Sequence, residues 1–381
     1  MNKMTDVIIV GAGTAGCVAA RCLAEKGKRV LVLEKKRHIA GNCYDEKDEH
    51  GVLIHVYGPH IFHTNDEEVF AYLSRFTDWY LFHHEVVANV HGKYIPVPFN
   101  LQTLKAVYGE EKGSELEEKL VSIYGMDTKV PILDLMNHED EDLRMIGKYV
   151  YDNIYVYYTM KQWGKKPEEI DPAVTARVPV NISYDNGYFS DKYQGVPKEG
   201  FTKMYEKMLD HENIIVKCNV EAKEVLEIRD NKVYFEGDEF AGKVIFTGPI
   251  DEFFDCKYGR LPYRTLDFVF EHYEADDYQG HAVVNYTVDE DYTRITEYKY
   301  LTGQVCKGTT ISKEYPSAYT GEKGQIPYYC IANEENHALY EKYKKEVEQI
   351  NNFYLLGRLA EYRYYNIDVM VGKAMELTLR V

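Results

Sequence analysis

Residues Asp6 to Glu34 read DVIIV-GAGTAG-CVAARCLAEKGK-RVLVLE. The first five residues form a short apolar, β-branched run, the pattern of a strand buried on both faces. The glycine-rich turn at 11–16 opens a helix-compatible stretch that ends at Gly27, and RVLVL is a second strand closing on Glu34. This is a βαβ unit with its glycines at the first turn. Gly11 permits the tight turn, Gly13 lets backbone approach a pyrophosphate, and Gly16 lets helix and strand pack closely. The helix start at Ala15 and Gly16 presents unpaired N–H groups to phosphate. Glu34 stands 18 residues beyond Gly16, placed to accept hydrogen bonds from ribose hydroxyls and to repel a 2′-phosphate. The expected cofactor is therefore FAD or NAD, not NADP.

The next residues decide between those two. Lys35, Lys36, Arg37 and then Gly41-Asn42 make a basic cluster that suits an extended dinucleotide, where NAD proteins run straight into another helix. FAD is expected.

Working outward, 381 residues with 45 % apolar content bury a sizeable core in two or three domains. The net charge of −17 argues against nucleic acid as a partner and against an electrostatic membrane anchor. No apolar run approaches the roughly 18–20 residues of a membrane span. Seven cysteines, odd in number and without a CxxC pair, fit neither a disulfide framework nor a zinc ribbon and point to a reducing cytoplasm. His60 and His63 spell HxxH, but no further ligand accompanies them at zinc spacing, so no metal is expected. Tyrosine is abundant, at 35 residues; its flat ring and polar rim suit a nucleotide-sugar pocket.

The fold expected is α/β: a Rossmann-like, discontinuous FAD-binding domain with an inserted helical domain and an inserted antiparallel β-sheet domain. The cofactor domain takes 1–80, 198–250 and 336–381. The helical insert takes 99–180, where apolar residues recur at helical spacing, and it includes a mobile lid. The sheet insert takes 81–98, 181–197 and 251–335.

Several longer motifs resemble a known family. GAGTAG with Glu34, YGPHIFHTND at 57–66, YTMKQWG at 158–164, NGYFSDKYQG at 186–195, YTRITEYK at 292–299 and GRLAEYRYYNID at 357–368 are similar to the bacterial UDP-galactopyranose mutases. The similarity runs in register over essentially the whole chain. It implies an isomerase that interconverts UDP-galactopyranose and UDP-galactofuranose on reduced FAD without net redox. The flavin's central-ring nitrogen would attack the anomeric carbon as UDP leaves; the sugar would open on the flavin and reclose through another hydroxyl. The family also suggests a homodimer and a role in supplying galactofuranose for cell-surface polysaccharide.

The resemblance assigns roles residue by residue. Arg177, on the lid, and Arg294 match two arginines that grip the diphosphate, and His60 lies beside the flavin. Tyr329 and Tyr364 match phosphate-bonding tyrosines. Tyr158, Thr159 and Trp163 match lid-side contacts, Tyr188 a uracil-stacking position and Asn285 a nucleotide contact. Ile61, His63, Gly248, Gly357, Arg358 and Tyr365-Asn366-Ile367-Asp368 match flavin contacts, alongside the glycine motif, Glu34, Lys35, Arg37, Gly41 and Asn42. Two departures touch substrate preference: Asn366 replaces an expected Asp, and His84 an expected Asn. The competing readings are an amine-oxidase-type flavin oxidoreductase, which would need no UDP site, and a nucleotide-sugar sensor without turnover.

Overall fold

A computed structural model of the chain describes residues 5–164 and 179–381. Its central sheet is five parallel strands in the order Ile214–Cys218, Val30–Glu34, Val7–Val10, Lys243–Phe246, Phe353–Leu355. Strands from three separated stretches of chain meet there. Val7–Val10 is buried throughout, because alternate side chains serve two different cores. Val7 and Ile9 pack under the helices Thr14–Glu25, Phe201–Leu209 and Ile367–Thr378. Ile8 and Val10 face the core that contains Tyr340 and Tyr343 of helix Glu334–Val347. Each fully buried aliphatic side chain of this kind is worth roughly 1.5–3 kcal/mol.

The first helix starts at Thr14, inside the glycine motif. Gly11 has φ +97°, and a Cβ on Gly16 would stand 1.9 Å from the Gly11 carbonyl oxygen. The turn therefore closes backbone on backbone. The strand order reverses at Val7–Val10, so the carboxyl ends of the strands open a crevice there.

A seven-stranded sheet is ordered Tyr329–Cys330, Tyr263–Tyr273, Thr309–Ala318, Arg294–Glu297, Val283–Tyr286, Val86–Val90, Lys93–Val97. It is antiparallel except where Val283–Tyr286 runs parallel to Val86–Val90, a pairing that joins two distant stretches of the chain. Residues 193–197, grouped by sequence with this sheet, pair instead with Phe62–Thr64 and Trp79–Leu81 in a separate three-stranded sheet. Short strands carry no signal that chooses between two partners so remote in sequence.

The helical region contains Leu101–Tyr108, Glu110–Tyr124, Ile132–Met136, Glu141–Val150 and Val156–Trp163. At its base Thr128–Pro131 pairs with Pro179–Ile182, a two-stranded ribbon that the helical pattern gave no hint of. A π-helical turn at Tyr151–Tyr155 joins the last two helices. The wider turn rotates the helix face that follows, which carries Tyr158 and Thr159.

Gly16→Ala is expected to destabilise the protein by about 2 kcal/mol or more, since the clash is with rigid backbone. It should also lower the flavin-to-protein ratio of the purified protein. Denaturant unfolding and the visible absorbance check both.

Candidate active site

The dinucleotide end is built from backbone. Gly13 caps the first helix with no side-chain hydrogen bond, so the helix's leading N–H groups stay free for an anion. A Cβ on Gly41 would lie 2.9 Å from the Gly13 Cα, so the two loops touch where a side chain on Gly41 would intrude. Glu34 is buried, and its carboxylate accepts from the Ala12 N–H at 2.7 Å and the Lys36 N–H at 2.8 Å. Those bonds fix the carboxylate and leave lone pairs for ribose hydroxyls. Lys35 and Arg37 are exposed, whereas Lys36 folds over the Tyr57 ring at 3.8 Å and donates to Asn42 Oδ1 at 3.3 Å. Burial lowers the Lys36 pKa to about 8. Gly357, at φ +103°, brings its chain against Ala15 and Thr247; Gly248 follows that threonine. This cradle fits a dinucleotide.

Beyond it lies a cavity of about 240 Å³. It brings together His60, Ile61, His63, His84, Tyr188, Arg294, Tyr329, Arg358, Tyr364, Asn366 and Ile367, which lie more than 300 residues apart in the chain. Asn366 caps the helix Ile367–Thr378 with no side-chain bond to it. Asp368 accepts from the Thr64 hydroxyl through Oδ2 at 3.0 Å, while its Oδ1 is buried without a partner. An orphaned acceptor at a helix start marks a place where a ligand with N–H or O–H groups belongs. Tyr365 donates to Glu361.

A neighbouring cavity of about 750 Å³ is lined by Tyr158, Thr159 and Asn285, and shares Tyr188 and Phe189 with the first. Arg294 stands between the two. Its Nε donates to Asn285 Oδ1 at 3.2 Å and its Nη2 to the Tyr158 hydroxyl at 3.0 Å. Its Nη1 is 3.9 Å from buried Glu314. Burial raises the Tyr158 pKa to about 12, so the phenol stays neutral. Accepting from the guanidinium, it keeps its own proton to donate. Arg358 lies over the Tyr364 ring at 5.3 Å. Two guanidiniums with hydroxyl donors suit an anion that must be held and released.

Three imidazoles line the smaller cavity. His60 donates from Nδ1 to the Gly58 carbonyl at 2.9 Å, and its backbone N–H donates to His55 Nδ1 at 3.0 Å. Burial lowers its pKa to about 3. His84 is also lowered to about 3, first by burial and then by the Arg294 charge, and its Nδ1 has no partner. His63 differs: its Nδ1 is 2.8 Å from the Asp191 carboxylate.

The family model for UDP-galactopyranose mutase matches residues 153–364, and one for an NAD(P)-binding Rossmann-like domain matches 9–76. A dTDP-fucopyranose mutase of Escherichia coli is 37 % identical over 98 % of this chain and 97 % of its own. A probable UDP-galactopyranose mutase of Klebsiella pneumoniae is 39 % identical over 97 % and 93 %. The chain belongs to the UDP-galactopyranose mutase family. It is an isomerase. A crystal structure of reduced UDP-galactopyranose mutase shares the fold, with a TM-score of 0.70 at 15 % identity over 98 % of this chain and 93 % of that one. A putrescine oxidase shares it at a TM-score of 0.58, 12 % identity, and 99 % and 98 % coverage.

Against the mutase-family pattern, Arg177 and most of the expected lid lie outside the described residues; Trp163 ends the last described turn before them. Sequence reading missed the supports. Glu314, on the strand Thr309–Ala318, lies in none of the motifs quoted above. Buried Arg264 donates to the Gln162 and Lys161 carbonyls at 2.8 and 3.3 Å, fastening the end of the Tyr158 helix. Lys161 donates to three carbonyls, of Tyr286, Glu290 and Tyr292. A cation at a helix C-terminus was the available signal for Lys161; none marked Arg264. Among the described residues, the His/Cys/Asp/Glu group close enough to share an ion is His50, His272 and Glu274, and the HxxH pair is not in it.

The neutral imidazoles carry a pH prediction. His55, His60 and His84 are each lowered to about 3 in the fold, against about 6.5 unfolded. The unfolded state binds more protons between those values, so their contribution is whole above pH 6.5 and is lost as pH falls towards 3. His84→Asn should flatten the loss of stability between pH 6.5 and 5 by up to one proton, about 1.4 kcal/mol per pH unit. Parallel stability-against-pH lines for the two proteins would refute it.

Proposed function

We propose that the protein interconverts UDP-galactopyranose and UDP-galactofuranose on reduced FAD, with no net redox, and supplies galactofuranose for cell-surface polysaccharide. It works in the cytoplasm as a homodimer. The observation that carries the reading is the shared cavity: Arg294, poised for a diphosphate, opens into the same space as Arg358, Ile61 and Asn366, the expected flavin-edge residues. Reduced FAD, when bound, supplies a nucleophilic ring nitrogen for the anomeric carbon.

The chain's own residues do the rest. Gly13, Gly16 and the helix start bind the cofactor diphosphate, and Glu34 the ribose. Arg358 stabilises negative charge on the reduced ring's pyrimidine edge. Neutral His60 orients without adding charge. Arg294, with Tyr158, Asn285, Tyr329 and Tyr364, holds the departing nucleoside diphosphate close enough to return, a grip to which the family resemblance adds Arg177. Tyr188, half out of the wall at 41 % exposure, offers a face for the base.

A second reading is favoured by one relative: the dTDP-fucopyranose mutase matches over the whole chain at 37 % identity. In that reading the same chemistry acts on a 6-deoxy sugar carried by dTDP.

The test is to incubate the protein with dithionite and either UDP-galactofuranose or dTDP-fucofuranose and to chromatograph the products. Conversion of the UDP sugar with a higher kcat/KM supports the first reading; preference for the dTDP sugar supports the second. Flavin bleached by an amine with neither sugar converted would make the protein an oxidoreductase. In the productive assay, Arg294→Ala and Arg177→Ala should each cost about 100-fold or more in turnover with FAD still bound.

A further inference from the structure

Changing a six-membered sugar ring into a five-membered one requires protons as well as a nucleophile. The bond between the anomeric carbon and one ring oxygen breaks, and that oxygen takes up a proton to become a hydroxyl. Another hydroxyl then closes on the same carbon and gives its proton up. The balance is zero, so one group that lends a proton and takes it back suffices. It must face the cavity and have a partner that holds its ring in one tautomer.

The three cavity imidazoles are unequal in this respect. His60 spends its Nδ1 proton on a backbone carbonyl, and His84 has an unpartnered Nδ1 next to a guanidinium. Neither has a carboxylate to support a positive charge. His63 does. Its Nδ1 is 2.8 Å from Asp191 Oδ2, while Asp191 Oδ1 accepts from Asn65 Nδ2 at 2.8 Å. An ionised carboxylate only accepts, so Nδ1 carries the proton and Nε2 is the nitrogen left for the cavity. The ring is clamped flat against Phe189, with centroids 3.7 Å apart and planes 13° apart. The pair is well shielded, with side chains 12 % and 22 % exposed. His63 lies in the strand Phe62–Thr64 and Asp191 just before the strand Tyr193–Pro197, which pair with each other, so the sheet fixes the dyad's geometry.

We propose that Asp191 and His63 form an acid–base dyad in which Asp191 is a positioning residue and His63 is the group that lends and recovers the ring-opening proton. The charged and titratable groups around His63 are Asp191 behind it, Arg294, Arg358, Glu314, His60 and His84 around the cavity, and Asp368 through Thr64. Asp191 lies behind the His63 ring at 2.8 Å, and the two arginines line the same cavity as the ring. The reading rests on the mutase activity above, but wild-type turnover tests that activity by itself.

Asp191→Asn, His63→Gln and the double variant provide the test, with one readout that needs neither cofactor nor substrate. In ¹⁵N-histidine-labelled protein, His63 should be the Nδ1–H tautomer in the wild type and should shift towards Nε2–H in Asp191→Asn. Loaded with reduced FAD, Asp191→Asn should lose about 100-fold in kcat with KM for the sugar nucleotide within threefold, and its kcat–pH profile should shift. The double variant should be no slower than His63→Gln, as members of one unit are non-additive. An unchanged tautomer in Asp191→Asn, or kcat within threefold of wild type in either single variant, would overturn the proposal. His63→Gln decides the kinetic arm on its own if Asp191→Asn does not fold.

Discussion

The site depends on one close approach of backbone to backbone. Gly16 sits so near the Gly11 carbonyl that a single added carbon would stand 1.9 Å from it, and Gly41 meets Gly13 in the same way at 2.9 Å. These contacts hold the start of the first helix, the end of the first strand and the loop after Glu34 in one small volume. The loop's chain leads on to Gly58–His63, a wall of the smaller cavity. The helix Ile367–Thr378 packs along the first helix in the same core and brings Asn366 and Ile367 to that cavity. The two ends of an extended dinucleotide site are therefore set by a single packing arrangement, and a side chain at Gly16 would disturb both.

Charge is managed locally against the global trend. A protein of net charge −17 repels a nucleoside diphosphate at long range, so attraction has to come from a few fixed cations in a shielded space, where Coulomb terms are stronger. Arginine suits this because it keeps its proton on burial. The imidazoles beside it do the opposite: His60 and His84 give up their charge and remain as hydrogen-bonding groups. Glu314, 3.9 Å from Arg294, offsets part of the guanidinium's charge. In the proposed reaction it moderates the grip on a leaving group that has to come back, where an unopposed pair of arginines favours tight binding over turnover.

The cofactor half of the molecule was legible from sequence because its determinants are local. The strand, turn, helix and Glu34 lie within one continuous stretch, and each glycine has a steric reason visible in its spacing. The cavity was legible only through long motifs, and then only for side chains that reach it directly. Asp191 lies 128 residues from His63, and its partner is set by the pairing of 62–64 with 193–195, which no periodicity encodes. Sequence grouping put 193–197 in the other sheet for the same reason. In the basic cluster after Glu34, composition could not show that Lys36 turns inward over Tyr57 while Lys35 faces solvent, because that choice is made by the aromatic ring 21 positions on.

Substrate choice is the remaining step, and overall similarity does not make it. The relatives named for dTDP-fucopyranose and UDP-galactopyranose chemistry differ from this chain to nearly the same extent, at 37 % and 39 % identity. Discrimination by a hydroxyl comes from polar atoms that are satisfied by one sugar and stranded by another; a site built to bond that group rejects its deoxy analogue by about 10⁴-fold or more, whereas an apolar wall tolerates both. His84, with an unpartnered buried nitrogen, and Asn366, an amide where the family resemblance leads one to expect a carboxylate, are cavity groups of the first kind. Relative to a carboxylate, an amide at 366 also removes a negative charge from the cavity that Arg358 lines and adds a donor. Both changes alter which hydroxyl pattern leaves no polar atom unpaired, while Arg294 and the glycine-rich turn stay as they are. In the proposed reaction, reaction class and sugar preference rest on different residues, the first on arginines and glycines and the second on the polar wall between them.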